Sequence, residues 1–178
     1  MRVLQLTASF LAMVISFSLQ AQEDSKSAEA NVAALPWLSH VKGYCWRSEL
    51  TKGEVHDRQC FRVQFGRVVR VDQQITNLVD PENTMLADSL YVWDPRSKKI
   101  RHIFWGSDGS FETSSGWIEG DALIFYLDRE TAASGDASAR TVLRKTGADT
   151  YQARRESREG SEWREQFSFV YRRAEPVR

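Results

Sequence analysis

The sequence predicts an all-β protein: an up-and-down antiparallel β-barrel of about ten strands. Three observations carry that expectation. Short runs rich in Val, Ile, Phe, Tyr and Trp recur after Pro36. Compact turn signals separate them at nearly regular intervals, among them Lys52-Gly53, Phe65-Gly66, Asp94-Pro95, Asp108-Gly109, Glu119-Gly120, Ser134-Gly135, Thr146-Gly147 and Glu159-Gly160. No segment beyond Pro36 shows a sustained 3.6-residue period, although 77–87 leaves room for a short helix.

Strands joined by tight turns are neighbours, and a long meander tends to close because closure removes unpaired edges. A jelly-roll or immunoglobulin-like sandwich needs longer crossovers, which only 75–87 and 129–138 offer. The strands are expected near 40–50, 55–65, 68–76, 87–93, 99–106, 110–118, 122–128, 138–145, 150–157 and 162–173.

The start of the chain reads as a targeting signal. Arg2 is followed by a mostly apolar run over 3–19, then by polar Gln20, Gln22, Glu23 and Asp24, with Ala21 as a small residue before a cut. The expected organisation is a signal peptide over 1–21, a flexible linker over 22–35 and one barrel domain over 36–178, in the periplasm or secreted. A membrane anchor is the competing reading. The run is short for a span and contains Gln5, Thr7, Ser9, Ser16 and Ser18. Among 178 residues, 24 basic side chains balance 24 acidic ones, which argues against a nucleic-acid binder.

The first hairpin can be registered from sequence. With Lys52-Gly53 as its tip, Cys45 faces Cys60, Tyr44 faces Phe61, Trp46 faces Gln59 and Leu50 faces Val55. One face then gathers Tyr44, Trp46, Leu50, Val55, Phe61, Val63 and Phe65; the cysteines lie on the other. A one-residue slip destroys that division. The expected bond is a Cys45–Cys60 disulfide, since the chain is exported and the count is even. A metal site needs more ligands than nearby His56 supplies, and a redox pair usually sits closer in sequence. A strict two-residue loop predicts the wider kind of cross-strand pair, about 5.5 Å between Cα atoms. Asp57 is read as solvated charge near the turn.

The last strand alternates as well. Trp163, Glu165, Phe167, Phe169 and Tyr171 share the face expected to point inward. An arginine of the preceding strand is expected opposite the lone acid, with Arg155 preferred over Arg154. Two readings of that pair stay open: a structural ion pair, or a polar anchor for the head group of an amphiphile. In the middle hairpin, Leu90, Val92, Ile100, His102 and Phe104 are expected inside. Tyr91, Trp93 and Trp105 then form an outer aromatic patch for self-association or a partner. His102 is a candidate haem ligand or base, or plain hydrogen-bonded core.

Several short pieces together resemble the lipocalin-like (calycin) barrels, in particular small exported bacterial domains of that kind. They are Trp37-Leu38, Gly43-Tyr44-Cys45-Trp46, Cys60-Phe61, Tyr91-Val92-Trp93-Asp94-Pro95, Phe104-Trp105-Gly106-Ser107-Asp108-Gly109 and Phe169-Val170-Tyr171-Arg172-Arg173. The lipocalin pattern is Gly-x-Trp, whereas Gly43 and Trp46 stand one position further apart. The resemblance implies that Arg172 or Arg173 packs over Trp46, and that the barrel holds a small apolar or amphiphilic ligand. It implies no reaction.

The functional expectation is an exported binding protein for a small hydrophobic or amphiphilic ligand, with His102, Phe104, Arg155, Glu165, Phe167 and Phe169 in contact with it. No cofactor, metal or catalytic residue is assigned: the sequence has no Gly-x-Ser-x-Gly elbow, no His-Glu-x-x-His and no phosphate-binding glycine loop. The alternatives are a non-enzymatic envelope interaction protein with a filled barrel and, third, a small enzyme using His102 and Glu165.

Overall fold

The computed structural model describes residues 36–66, 68–127 and 138–178; the expected leader and linker lie outside them. A six-residue helix, α1 (Pro36–Val41), precedes ten strands. These are β1 (Tyr44–Thr51), β2 (Val55–Gln64), β3 (Val68–Asn77), β4 (Met85–Asp94), β5 (Lys99–Gly106), β6 (Phe111–Glu119), β7 (Ala122–Leu127), β8 (Ala139–Gly147), β9 (Thr150–Glu159) and β10 (Glu162–Pro176). Each strand pairs antiparallel with its chain neighbours, and β10 pairs with β1, so the barrel is closed and up-and-down. In place of a helix over 77–87 there is one 3₁₀ turn, Pro81–Asn83.

The first hairpin keeps the expected register from Cys45↔Cys60 to Glu49↔His56. A bulge at Leu50 then shifts the closing pair to Thr51↔Val55. The loop is three residues long, with Gly53 at φ 73° and the Glu54 N–H donating to the Thr51 carbonyl at 3.0 Å. The cysteines are disulfide-bonded with Cα atoms 3.9 Å apart, nearer the close kind of cross-strand pair than the wide one. We expect Cys45→Ala/Cys60→Ala to cost about 1–2 kcal/mol, below the ~3 kcal/mol of the chain-entropy model, because the hairpin turn already holds the ends together. Urea titration measures this, and thiol titration of the native protein should find no free thiol.

Two faces differ from expectation. The β4–β5 turn has four residues between Asp94 and Lys99, with the Asp94 carboxylate accepting the Arg96 N–H at 3.0 Å and Lys98 at φ 53°. That length pairs Tyr91 with His102 and Trp93 with Ile100. Tyr91 and Trp93 therefore pack with the core, Leu90 and Val92 alternate with them on the outer wall, and only Trp105 of the expected patch faces out. In β10 a bulge between Glu165 and Phe167 reverses the alternation. Phe167, Phe169 and Tyr171 point in, whereas Trp163 and Glu165 point out. Phe65 also leaves the apolar face; it occupies the β2–β3 turn at φ 52° and is 89 % exposed.

The core fills one end of the barrel. Helix α1 caps that end, setting Trp37 edge-on to Phe61 and Tyr151 at 6.1 and 5.6 Å between ring centres. Trp46 is fully buried behind it and donates its indole N–H to the Val41 carbonyl at 3.0 Å. Arg173 lies over the rings of Tyr44 and Trp46, at 4.4 and 5.2 Å. This is the arginine–tryptophan contact that the resemblance implies, a cation–π pair of about 0.5–2 kcal/mol.

Candidate functional site

Above the aromatic floor the interior becomes polar. Asp57, Gln59 and Phe61 alternate on the inner face of β2, as Trp46 and Ser48 do on β1. Asp57 is only 2 % exposed, so it is buried rather than solvated. Its Oδ2 accepts three hydrogen bonds: from the Tyr171 hydroxyl at 2.6 Å, Gln59 at 2.8 Å and Gln73 at 2.9 Å. The Tyr151 hydroxyl donates to Gln59 Oε1 at 3.0 Å, and the Tyr151 and Tyr171 rings stack at 4.6 Å. Burial raises the proton affinity of Asp57 against these donors.

On that floor lies a cavity of about 150 Å³. Its apolar lining includes Val71, Tyr91, Phe104, Phe125 and Leu143; its polar lining includes Gln73, Ser89, His102, Glu112, Ser114 and Thr141. Gly116 makes room for one wall, since a Cβ there would lie 2.5 Å from the Phe125 ring. Toward the end away from α1, the inward-pointing Phe167 is 52 % exposed, so solvent reaches that end.

His102 is held on three sides. Tyr91 and Phe125 flank its ring at 4.7 and 5.3 Å, and Nδ1 lies 3.1 Å from the Ser114 hydroxyl. Burial lowers its pKa to about 4, so the imidazole is neutral at pH 7. Glu112 behaves oppositely: burial raises its proton affinity, and the nearby positive charge of Arg155 pulls it down. Among the described residues no ion pair or hydrogen bond reaches Glu112. Arg155 instead donates to Thr141 Oγ1 at 3.1 Å.

The structure brings some of the expected site residues together and separates others. His102 and Phe104 line the cavity, Arg155 lies beside its acid, and Phe167 and Phe169 share the inner face, with rings 5.3 Å apart. Glu165 does not join them, because the β10 bulge turns it out. There it is exposed and 3.8 Å from Arg154. An Arg155–Glu165 anchor is therefore excluded, and so is a joint action of His102 with Glu165. The inward acid is Glu112.

Arg154 serves an outer cluster. The buried Glu156 is held between Arg140 at 2.5 Å and Arg154 at 2.7 Å, and Arg140 also covers the Trp163 ring at 4.4 Å. Elsewhere on the outer wall, Trp105 opposes Phe111 beside a hollow of about 390 Å³. The charges of that hollow are already paired: Arg70 lies 3.1 Å from Asp72 and 2.8 Å from Asp88. Among the described residues no group of three His, Cys, Asp or Glu side chains is placed to hold a metal ion. In the same residues no helix is long and apolar enough to cross a membrane.

No protein-family model and no curated protein matches the chain. The fold is similar to that in the crystal structure of Rv2717c from M. tuberculosis, with a TM-score of 0.54 over 80 % of this chain and 98 % of that one. At 16 % sequence identity, that likeness is one of fold.

Proposed function

We propose that this protein is an exported binding protein that holds a small amphiphilic molecule inside its barrel. The observation that carries the proposal is the interior cavity of about 150 Å³, lined by both aromatic and polar side chains. Binding pockets combine apolar surface with convergent polar groups that fix orientation, and this lining supplies both, with a larger polar share than most. A cavity of this size accommodates a benzene-sized ring, about six non-hydrogen atoms. A longer molecule projects past Phe167 into solvent. Export fits the Cys45–Cys60 disulfide, which persists in oxidising compartments.

Native mass spectrometry of protein purified from its own compartment tests this reading, which expects a co-purifying small molecule. Ala153 lines the cavity, and Ala153→Leu should fill it. The variant should lose the bound molecule while folding with a penalty of about 1–3 kcal/mol. Retention of the same molecule by the filled variant would place it outside the barrel.

A second reading rests on the outer wall. Trp105 and Phe111 are 37 % and 70 % exposed and sit side by side, which suits an envelope interaction protein. Trp105→Ser/Phe111→Ser should then abolish partner capture and leave the interior ligand in place.

A further inference from the structure

We propose that the interior cavity selects a small organic cation, with its positive charge beside Glu112 and its apolar part between Phe104, Tyr91 and Phe125. This rests on the reading of the barrel as a binding protein and names the ligand's head group. Among the described residues that line the cavity, Glu112 is the acid and there is no lysine or arginine. An inward carboxylate without an ion pair has a desolvation cost that a bound cation offsets. Arg155 donates to Thr141 and makes no ion pair with Glu112, so its nearby charge offsets that cost only in part.

The walls favour the same charge. The faces of Tyr91, Phe104 and Phe125 attract cations through their ring quadrupoles. His102 is flanked by two rings and neutral at pH 7, so it opposes a cation with no charge of its own. The floor beneath adds a second carboxylate, Asp57, reached through Gln59 and Gln73. An anionic head group meets two acids here, against the one nearby positive charge of Arg155 among the described residues.

Three near-isosteric probes separate charge from shape: benzylammonium, benzyl alcohol and benzoate, titrated into the full chain by calorimetry at pH 7. Benzylammonium should bind at least about tenfold tighter than the other two, as a charge-assisted contact is stronger than a neutral one. Glu112→Gln should remove that preference and keep benzyl alcohol binding; Arg155→Met should raise benzylammonium affinity several-fold. Ala153→Leu should abolish all binding, which places the probes inside. Equal or tighter binding of benzyl alcohol or benzoate overturns the cation inference and leaves the binding reading standing. Binding of none of the three, with nothing co-purifying from the native compartment, overturns both. The wild-type ranking decides the question even if Glu112→Gln fails to fold.

Discussion

Trp46→Ala should destabilise the barrel by about 3–5 kcal/mol, the range for removing a large buried aromatic. Trp46 is the largest fully buried side chain among the described residues. Its indole packs against Tyr151 at 5.1 Å and His40 at 5.2 Å, lies under Arg173, and holds the last turn of α1 through the Val41 carbonyl. One substitution therefore loosens both the core and its cap. Domains of this kind are stable by roughly 5–15 kcal/mol, so the loss is a large part of the whole. Trp46→Phe keeps most of the packing and loses the N–H donor, so it should cost about 1–2 kcal/mol. Urea unfolding followed by far-UV circular dichroism measures both. An alanine penalty under about 1.5 kcal/mol would show that the capped end is not where the stability resides.

The closed end was legible in the sequence because two kinds of signal agreed there. Cys45 and Cys60 fix a register, and the same register places Trp46 and Phe61 on one face. Gly-containing turns, together with runs of β-branched and aromatic residues, announced most of the remaining strands. A meander with no long crossovers leaves closure as the way to hide its edges.

Two backbone details were not legible. A four-residue turn after Asp94 and a bulge at Gln166 each exchange inside for outside along a strand. Both depend on local backbone geometry, and in each case the flanking residues are apolar or amphipathic on both faces. Leu90 and Val92 were as credible inside as Tyr91 and Trp93, and Glu165 as credible inside as Gln166.

The candidate site was half legible for a related reason. His102 and Phe104 stand on a strand whose inner face follows from Ile100. Glu112 stands on Phe111–Glu119, whose inner positions Glu112, Ser114 and Gly116 are not apolar, so alternation gave no direction. Parity did offer one signal that went unread. Asp57 and Gln59 share the face of Phe61, so an inward polar pair was implied as soon as Phe61 was placed inside. What hid it is that Tyr171 and Gln73, which satisfy Asp57, come from strands distant in sequence.

Asp57→Ala should cost about 3 kcal/mol or more. The change removes the acceptor of three donors at 2.6–2.9 Å; it strands the Tyr171 hydroxyl proton and the Gln73 amide, while Gln59 keeps its bond to the Tyr171 oxygen at 3.2 Å. Each buried group left unsatisfied costs about 1–3 kcal/mol, partly recovered if water enters the vacated space. Tyr171→Phe removes a single donor and should cost about 1–2 kcal/mol. Asp57 also gives the barrel a pH dependence of definite sign. Burial raises its pKa in the folded state above the unfolded value of about 3.9, so the folded state holds the proton more tightly. Its contribution is then fully present below about pH 4 and is lost as pH rises through the folded-state pKa. Asp57→Asn has no such titration. The stability difference between wild type and Asp57→Asn should therefore move in the variant's favour from about pH 4 upward, read from urea midpoints at successive pH values. A difference that stays flat, or moves the other way, would mean that the three donors outweigh burial and that Asp57 is held ionised.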